Sequence, residues 1–275
     1  MQILVAVNND PSSSHAIDQV ACLAANTLAK VTILGIGDDE SPRPKPPNAL
    51  PADQEPKDPL QLTIDEYRDR FIGQFSRTID VPFESGLETP EIRIRMGSAS
   101  QAILLESREQ ESDLIALGWN DANGSIWKEG QKVPMKIASD AECSVYIAKK
   151  TSAVDRVVCC LGHEEISQQS LEMVSQFVTL YGARFLMVGL LEHGALKSDI
   201  EDKFGRLIAY YSAKNIDPWV EVVETKKFDD FVASEAPHAL MAFWMGKESL
   251  LRRIYSKAKM NRLVKTSESS VLVLR

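Results

Sequence analysis

The chain has 275 residues, of which 44% are apolar and 25% are charged, so it is long enough for two ordinary domains, each with its own core. Its formal net charge of −8 argues against a nucleic acid partner, because the neutralisation of phosphates requires a basic surface. No apolar run approaches the ~18 residues that span a bilayer and the amino terminus lacks the basic region of a signal peptide, which predicts a cytoplasmic protein with no membrane partner.

The first 150 residues alternate between short apolar strands and amphipathic helices. The predicted elements are, in chain order, strand 2–7, helix 13–28, strand 31–36, helix 60–78, strand 91–96, helix 100–112, strand 114–117, helix 132–141 and strand 144–148. The strand at 31–36, VTILGI, is apolar on both faces, which is typical of a parallel sheet with helices on either side. This alternation predicts a doubly wound α/β domain.

A proline-rich segment interrupts this alternation at residues 41–59, which contain seven of the thirteen prolines of the chain. Proline removes backbone donors and disfavours a helix in the residue that precedes it, so no packed element is expected there. The segment is interpreted either as a linker-like loop or as a lid or partner tether.

The second part of the chain repeats the first. Residues 2–38 align without a gap with 156–192, and residues 113–148 align with 239–274. Three apolar positions of the first helix match three of the later helix: Ile17, Val20 and Leu23 with Leu171, Val174 and Phe177. The repeat predicts two tandem domains, 1–150 and 151–275, of which the second is shorter and has no equivalent of the proline-rich segment.

The second copy has the same order of elements. These are predicted as strand 157–161, helix 167–181, strand 184–191, strand 219–223, helix 228–236, strand 240–243, helix 254–266 and strand 270–274. Cys159 and Cys160 are neighbours on a strand, so their side chains should point to opposite faces and cannot easily share a metal. The four histidines are scattered along the chain, and no metal site is predicted.

Four segments of the first copy, in order, resemble those of the universal stress protein family. The segment 3–17, ILVAVNNDPSSSHAI, resembles the first strand and turn of these domains, and Gly97 stands where the family has a glycine after its third strand. Residues 113–118, DLIALG, and 141–145, AECSV, resemble the Asp-Leu-Ile-Val-Met-Gly and Ala-Pro-Cys-Pro-Val segments of the family. The resemblance implies a Rossmann-like fold of the adenine-nucleotide alpha-hydrolase type in each domain.

Nucleotide-binding members of this family carry a loop Gly-x2-Gly-x9-Gly-Ser/Thr after the fourth strand, in which backbone amides and a hydroxyl hold phosphates. Gly118 fills its first position here, but Asp121, Gln131 and Lys132 fill the other three. A carboxylate at Asp121 would repel phosphates, whereas Lys132 could contact one directly. Asn8 replaces the acidic residue of the family that faces the nucleoside.

The resemblance therefore leaves one candidate nucleotide cleft, in the first domain, which would take ATP or AMP. Its candidate residues are Asn8, Ile36, Gly97, Gly118, Asp121, Gln131 and Lys132. In the second domain the four loop positions hold Trp244, Lys247, Lys257 and Ala258, and Gly162 replaces the residue after the first strand. A tryptophan at the first position should fill the pocket, so no nucleotide is expected there.

No catalytic nucleophile with a partner is found in the sequence, which favours a non-enzymatic protein, although weak ATP hydrolysis remains an alternative. The leading interpretation is a stress-response protein that binds an unknown protein partner. The strands 144–148 and 270–274 are matching apolar edges, and their pairing would form an internal pseudo-dimer, with a homodimer as a further option. The alternative is a switch gated by ATP or AMP bound to the first domain.

Overall fold

The computed structural model describes residues 1–37, 59–80, 89–120, 127, 132–149, 154–162, 165–191, 197–246, 250–251 and 257–275. The proline-rich segment 41–59 lies outside these residues apart from Pro59, and so does the predicted domain boundary at 150. The role of the segment and the position of the boundary stay predictions.

Strands and helices alternate through both halves of the chain. In the amino-terminal half the elements are β1 (Gln2–Val7), α1 (Ser12–Thr27), β2 (Lys30–Gly37), α2 (Pro59–Ile79), β3 (Glu91–Met96), α3 (Ala99–Glu109), β4 (Leu114–Gly118), α4 (Lys132–Asp140) and β5 (Ser144–Ala148). In the carboxy-terminal half they are β6 (Arg156–Leu161), α5 (Gln168–Tyr181), β7 (Arg184–Leu191), α6 (Lys197–Ser212), β8 (Pro218–Glu224), α7 (Phe228–Glu235), β9 (Leu240–Trp244), α8 (Lys257–Thr266) and β10 (Val271–Leu274).

Among the α-helices and strands of the described residues, α6 is the one that the sequence interpretation missed. Its residues include many charged side chains, and its apolar face is narrow. Phe204, Leu207 and Tyr211 lie along that face and are buried, at the i, i+3 and i+7 spacing of an amphipathic helix. The same spacing in the sequence was therefore a sufficient signal for this helix.

All described strands belong to one ten-stranded sheet in the order β3-β2-β1-β4-β5-β10-β9-β6-β7-β8. Helices α1, α2, α5 and α6 pack on one face of this sheet, and α3, α4, α7 and α8 pack on the other. Cys159 belongs to the first core and Cys160 to the second, which confirms that these neighbours point to opposite faces. The doubly wound, mainly parallel fold is confirmed in each half.

The repeat in the sequence is also a repeat in the fold, because the strand order reads the same from either edge towards the centre. A small backbone detail supports the alignment. Helix α5 ends at Gly182 with φ of 56°, and α1 ends at the aligned Leu28 with φ of 52°. Both residues adopt the left-handed conformation that terminates a helix, although only glycine does so without strain.

Strands β5 and β10 join the two halves at the centre of the sheet. They pair antiparallel, with Val145 opposite Val273 and Ile147 opposite Val271, while the strands within each half run parallel. This confirms the predicted pairing of the two apolar strands. Helix α1 packs against α5 on one face of the joint, and α4 packs against α8 on the other.

Two basic residues close this joint reciprocally. Lys149 follows β5 and is 1% exposed, and its Nζ donates to the carbonyl oxygen of Ser267, directly after α8, at 2.5 Å. Arg275 follows β10, and its Nε donates at 3.3 Å to the carbonyl oxygen of Ala141, directly after α4. Lys149 aligns with Arg275 and Ser267 aligns with Ala141, so each half places a cation at the carboxyl end of a helix in the other half, where the helix dipole favours it.

A polar cluster on the α1–α5 side of the joint is not repeated in this way. The amide oxygen of Gln19, in α1, accepts hydrogen bonds from the hydroxyls of Tyr146 in β5 and Tyr181 in α5. Its amide nitrogen donates to the carbonyl oxygen of Lys149 at 3.0 Å. The hydroxyl of Ser270 donates to the same Gln19 oxygen, so residues of both halves share one glutamine side chain.

We predict that Lys149→Met destabilises the protein by about 1.5–3 kcal/mol, because the charge-assisted hydrogen bond is lost and the Ser267 carbonyl oxygen loses a buried donor. The measurement is the free energy of unfolding from urea denaturation. Lys136→Met, on the exposed face of α4, is the matched control and should change stability by less than about 0.5 kcal/mol. Equal stabilities of the two variants would contradict the assigned role of Lys149.

We also predict that the joint weakens in alkali. Burial raises the pKa of Tyr181 to about 12 and raises the pKa of Tyr146 well above its ordinary value. Unfolded tyrosine ionises near pH 10. The contribution of these protonated hydroxyls to the free energy of unfolding is therefore complete below about pH 10 and is lost as the pH rises through the folded pKa. Tyr181→Phe should make the fall in unfolding free energy between about pH 10 and 12 shallower by up to about 1.4 kcal/mol per pH unit.

Candidate functional site

The predicted cleft begins at the carboxyl end of β1, where Asn8 follows the last strand residue. The Asn8 Oδ1 atom accepts hydrogen bonds from the backbone nitrogen of Asp10 at 3.1 Å and from the hydroxyl of Ser13 at 3.0 Å. The backbone nitrogen of Asn8 donates to the same hydroxyl at 3.1 Å. The amide oxygen is therefore engaged within the turn, and a ligand at this position would meet the Asn8 Nδ2 group.

Two residues that the sequence interpretation missed hold this turn. Asp10 is 1% exposed, and its Oδ1 accepts a hydrogen bond at 2.7 Å from the backbone nitrogen of Ser12, the first residue of α1. The Tyr67 hydroxyl, on α2, lies 3.0 Å from the carbonyl oxygen of Asn8 and 3.1 Å from that of Asp10, and burial raises the pKa of Tyr67. The Asp-Pro-Ser sequence was the available signal for the hydrogen bond from Ser12 to Asp10, whereas nothing local in the sequence connects Tyr67 with the turn.

The Asp10 carboxylate is sealed in this turn rather than open to a cleft. Its second oxygen, Oδ2, is buried and has no hydrogen-bond partner among the described residues. A buried acceptor without a donor is costly, so the turn has to be held by its other contacts, including those to Tyr67. The loop between β1 and α1 is thus built for a fixed conformation.

Gly118, at the end of β4, is a glycine because α1 passes very close to it. A Cβ atom at this position would lie 2.2 Å from the carbonyl oxygen of Ser12 and 2.8 Å from the backbone nitrogen of Ser13. The sequence interpretation assigned this glycine to the close approach of a phosphate. The packing of the first turn of α1 against β4 requires a glycine there whether or not a nucleotide binds.

Ile36 and Gly97 lie at the same carboxyl edge of the sheet as Asn8 and Gly118. Ile36 is half-buried near the end of β2 and packs against the core on the α3 side. Gly97 follows β3 with φ of 104°, a conformation that favours glycine, and its backbone nitrogen donates to the carbonyl oxygen of Gly37 at 3.0 Å. The topology therefore brings these four candidate residues to one edge.

The remaining candidates are only partly described. Asp121 and Gln131 lie outside the described residues, and Lys132 is described as the first residue of α4 without its side chain. On either side of Asp121 in the sequence, Trp119 and Trp127 are 3% and 7% exposed and pack in the core under α3 and α4. These indoles fix the start and the middle of the loop after β4 to the core.

The equivalent edge of the carboxy-terminal half is closed differently. Lys203, on α6, donates from Nζ to the carbonyl oxygen of Gly162 at 2.9 Å, where the first half has Tyr67 on the carbonyl oxygen of Asn8. Trp244 aligns with Gly118, is 6% exposed, and packs in the core on the α5 side. A bulky indole and a lysine thus lie where the first half has a bare backbone and a tyrosine.

Two cavities lie beside the joint, at the edge of the sheet where β4 and β5 begin and β10 ends. One has a volume of about 330 Å³ and is lined by residues that include Ser112, Asp113, Cys143 and Arg275. The other, of about 500 Å³, shares Asp113 and Gln169 with it, and these two side chains are hydrogen-bonded across the halves. Burial raises the pKa of Cys143 to about 11, which keeps this thiol protonated and a weak nucleophile at neutral pH.

Within the described ranges, no group of three or more His, Cys, Asp or Glu side chains is arranged to hold a metal ion. The helices of the described part are also too short or too polar to cross a membrane.

Comparison with known proteins gives one family match in sequence. The sequence model of the universal stress protein family matches residues 1–149, more than half of the chain. No curated protein sequence matches the chain.

Several solved structures share the whole fold at low sequence identity. A universal stress protein from Archaeoglobus fulgidus is 15% identical with a TM-score of 0.61, and the match covers 100% of this chain and 96% of that one. A protein of unknown function from Pseudomonas aeruginosa PAO1 is 15% identical with a TM-score of 0.57, covering 99% and 92%. The cytoplasmic domain of a prokaryotic cation chloride cotransporter is 9% identical with a TM-score of 0.57, covering 99% and 94%. At these identities the matches show a common fold only.

We predict that Gly118→Ala lowers the free energy of unfolding by about 1–3 kcal/mol, because the methyl group overlaps the backbone of α1. Gly73→Ala is the matched control, since a Cβ atom there has no neighbour within 4 Å and Gly73 lies inside α2. The control should be neutral or stabilising by up to about 1 kcal/mol. Urea denaturation of both variants measures the difference, and equal effects would show that the close contact is relieved without cost.

Proposed function

The chain belongs to the universal stress protein family, and we propose that it acts in the stress response as a non-enzymatic protein-interaction module built on a fixed internal pseudo-dimer. The observation that carries the proposal is the closed joint, in which Lys149 and Arg275 each bond a carbonyl oxygen of the other half. This joint turns two domains into one broad platform of ten strands. A platform of fixed shape suits the presentation of a surface to a protein partner.

The state of the two clefts supports this proposal over a nucleotide-dependent activity. In the carboxy-terminal half, Trp244 and Lys203 lie where a ligand would approach the strands. In the amino-terminal half, the Asn8 oxygen is engaged in its own turn and Gly118 is required by the packing of α1. Asp121 further adds a negative charge to the loop that would receive phosphates.

A single adenine-nucleotide site in the amino-terminal half is the second candidate, in which ATP or AMP would switch the protein. Two observations favour it. The side chain that closes the other half, Trp244, has only Gly118 as its counterpart here. Lys132 is the first residue of α4, where a cation and the helix amino terminus would both favour an anion.

Isothermal titration of the full chain with ATP, AMP and cyclic AMP separates the two candidates. The interaction module should bind none of them more tightly than about 1 mM and should release no phosphate from ATP. A variant carrying Asp121→Gly, Gln131→Gly and Lys132→Ser, which restores the family loop, should gain ATP affinity by about tenfold or more, since the repelling carboxylate is removed and backbone amides and a hydroxyl replace Lys132 as phosphate donors. Tight binding of ATP by the unaltered chain would overturn the proposal in favour of the switch.

The cellular role is tested by complementation of a deletion strain under the stress that reveals its phenotype. Lys132→Glu reverses the charge at the start of α4 and should abolish phosphate binding without changing the fold. The interaction module predicts full complementation by this variant, whereas the switch predicts failure. Far-UV circular dichroism of the purified variant confirms that it is folded.

A further inference from the structure

The internal joint pairs β5 with β10, one edge strand from each half. The other edge strand of each half lies at an outer end of the sheet. Among the described residues, no strand pairs with the outer side of β3 or of β8, the first and last strands of the sheet. These edges present backbone N–H and C=O groups that no described strand covers, and proteins usually protect such edges with charge, proline or bulges.

Both edge strands expose large apolar side chains. On β3, Ile94 is 43% and Met96 is 49% exposed, while on β8, Trp219 is 74% and Val220 is 40% exposed. These four residues are half of the large exposed apolar side chains among the described residues. Such a concentration at two sheet edges indicates an interaction surface rather than scattered surface residues.

The two edges differ in charge. Arg93 projects from β3 with 47% of its side chain exposed and forms an ion pair with Glu91 on the same strand. Glu221 lies exposed at the centre of β8. The edges of the repeat therefore carry complementary charges at their middle positions.

The direction of the strands fits a contact between these edges in two different molecules. All strands of one half run antiparallel to those of the other, because the halves meet through β5 and β10. Strand β8 of one molecule would therefore run antiparallel to β3 of a second molecule that continues the sheet. The internal joint already has this geometry, so the contact repeats an arrangement that the fold contains.

The side chains of the two strands match in one register. With Glu221 opposite Arg93, Val220 lies opposite Ile94 and Trp219 lies opposite Arg95. The sheet faces agree as well. Val223, on the face of Glu221, packs in the core below α7, and Arg95, on the face of Arg93, pairs with Glu106 of α3 on the same side of the sheet. This register places Glu221 opposite Arg93 and Trp219 opposite Arg95 on one face, and Val220 opposite Ile94 on the other.

We propose that copies of this chain associate end to end, with β8 of one molecule adding to β3 of the next. A symmetric contact is less favourable, because the centred register of β8 with itself places Glu221 opposite Glu221. Strand β3 has six residues, and pairing it with itself in either register next to its centre places Arg93 opposite Arg93 or opposite Arg95. A contact between two different edges does not close, so the product is a linear assembly that grows with concentration.

Sedimentation velocity of the full chain over a range of concentrations tests the assembly. The weight-average mass should rise continuously from the 30.5 kDa of one chain past twice that value, without a plateau. Glu221→Arg alone and Arg93→Glu alone should each weaken association by about fivefold or more, since each places like charges opposite each other. A constant mass of one chain at all concentrations would overturn the proposal.

Mixing the two single variants identifies the edges. The reversed β8 of Glu221→Arg complements the reversed β3 of Arg93→Glu, and their unaltered edges also complement each other, so the mixture should regain the mass of the original protein. A symmetric β8 contact would keep like charges opposite each other in Glu221→Arg and would be untouched by Arg93→Glu, so an unchanged association in both single variants would contradict the proposal. Glu268→Arg, an exposed charge reversal before β10, is the matched control and should leave association unchanged.

Discussion

The antiparallel pairing of β5 with β10 is the constraint on which the rest of the structure depends. It covers two apolar strand edges, it sets the opposite directions of the two halves, and it brings α1 against α5 and α4 against α8. The cations that follow these strands, Lys149 and Arg275, then bond carbonyl oxygens beyond the helices of the opposite half. These contacts can form only when both halves are present. Each half therefore depends on the other for hydrogen-bond partners of its buried polar groups.

Fusion of the two copies in one chain also allows the halves to differ. In a dimer of identical subunits, each contact across the joint occurs twice, whereas here Gln19 of one half accepts from Tyr146, Tyr181 and Ser270 without an equivalent glutamine in the other. The same freedom is visible at the carboxyl edge of the strands. Gly118 admits the first turn of α1, and the aligned Trp244 fills the corresponding space with an indole.

The fold was largely predictable because buried parallel strands are short apolar runs, and the repeat fixed which runs are equivalent. Helix α6 was missed because its apolar face is narrow, although Phe204, Leu207 and Tyr211 are spaced as a helix requires. The pairing of β5 with β10 followed from their apolar composition, but the bond from Lys149 to Ser267 did not, since residues far apart in sequence meet only after the halves dock.

The candidate cleft was less predictable than the fold, for a similar reason. A glycine at the end of β4 fits a phosphate loop, and the contact of Gly118 with Ser12 becomes visible only when α1 is placed. Asn8 could be assigned to the edge of the cleft from its position after β1. The engagement of its amide oxygen with Ser13, however, depends on the conformation of a turn.

The outer strands of the sheet, β3 and β8, differ in character from the strands that form the joint. Strands β5 and β10 are both fully buried and mainly apolar, as expected for edges that meet permanently within one chain. Strands β3 and β8 occupy equivalent positions in the repeat. When the two halves are aligned through β2 and β7, Arg93 of β3 corresponds to Glu221 of β8. If symmetry required the two edge strands to make the same contact, they would not need opposite charges. Once the inner edges were joined in one chain, the outer edges were released from self-complementarity, and their sequences could diverge into a complementary pair.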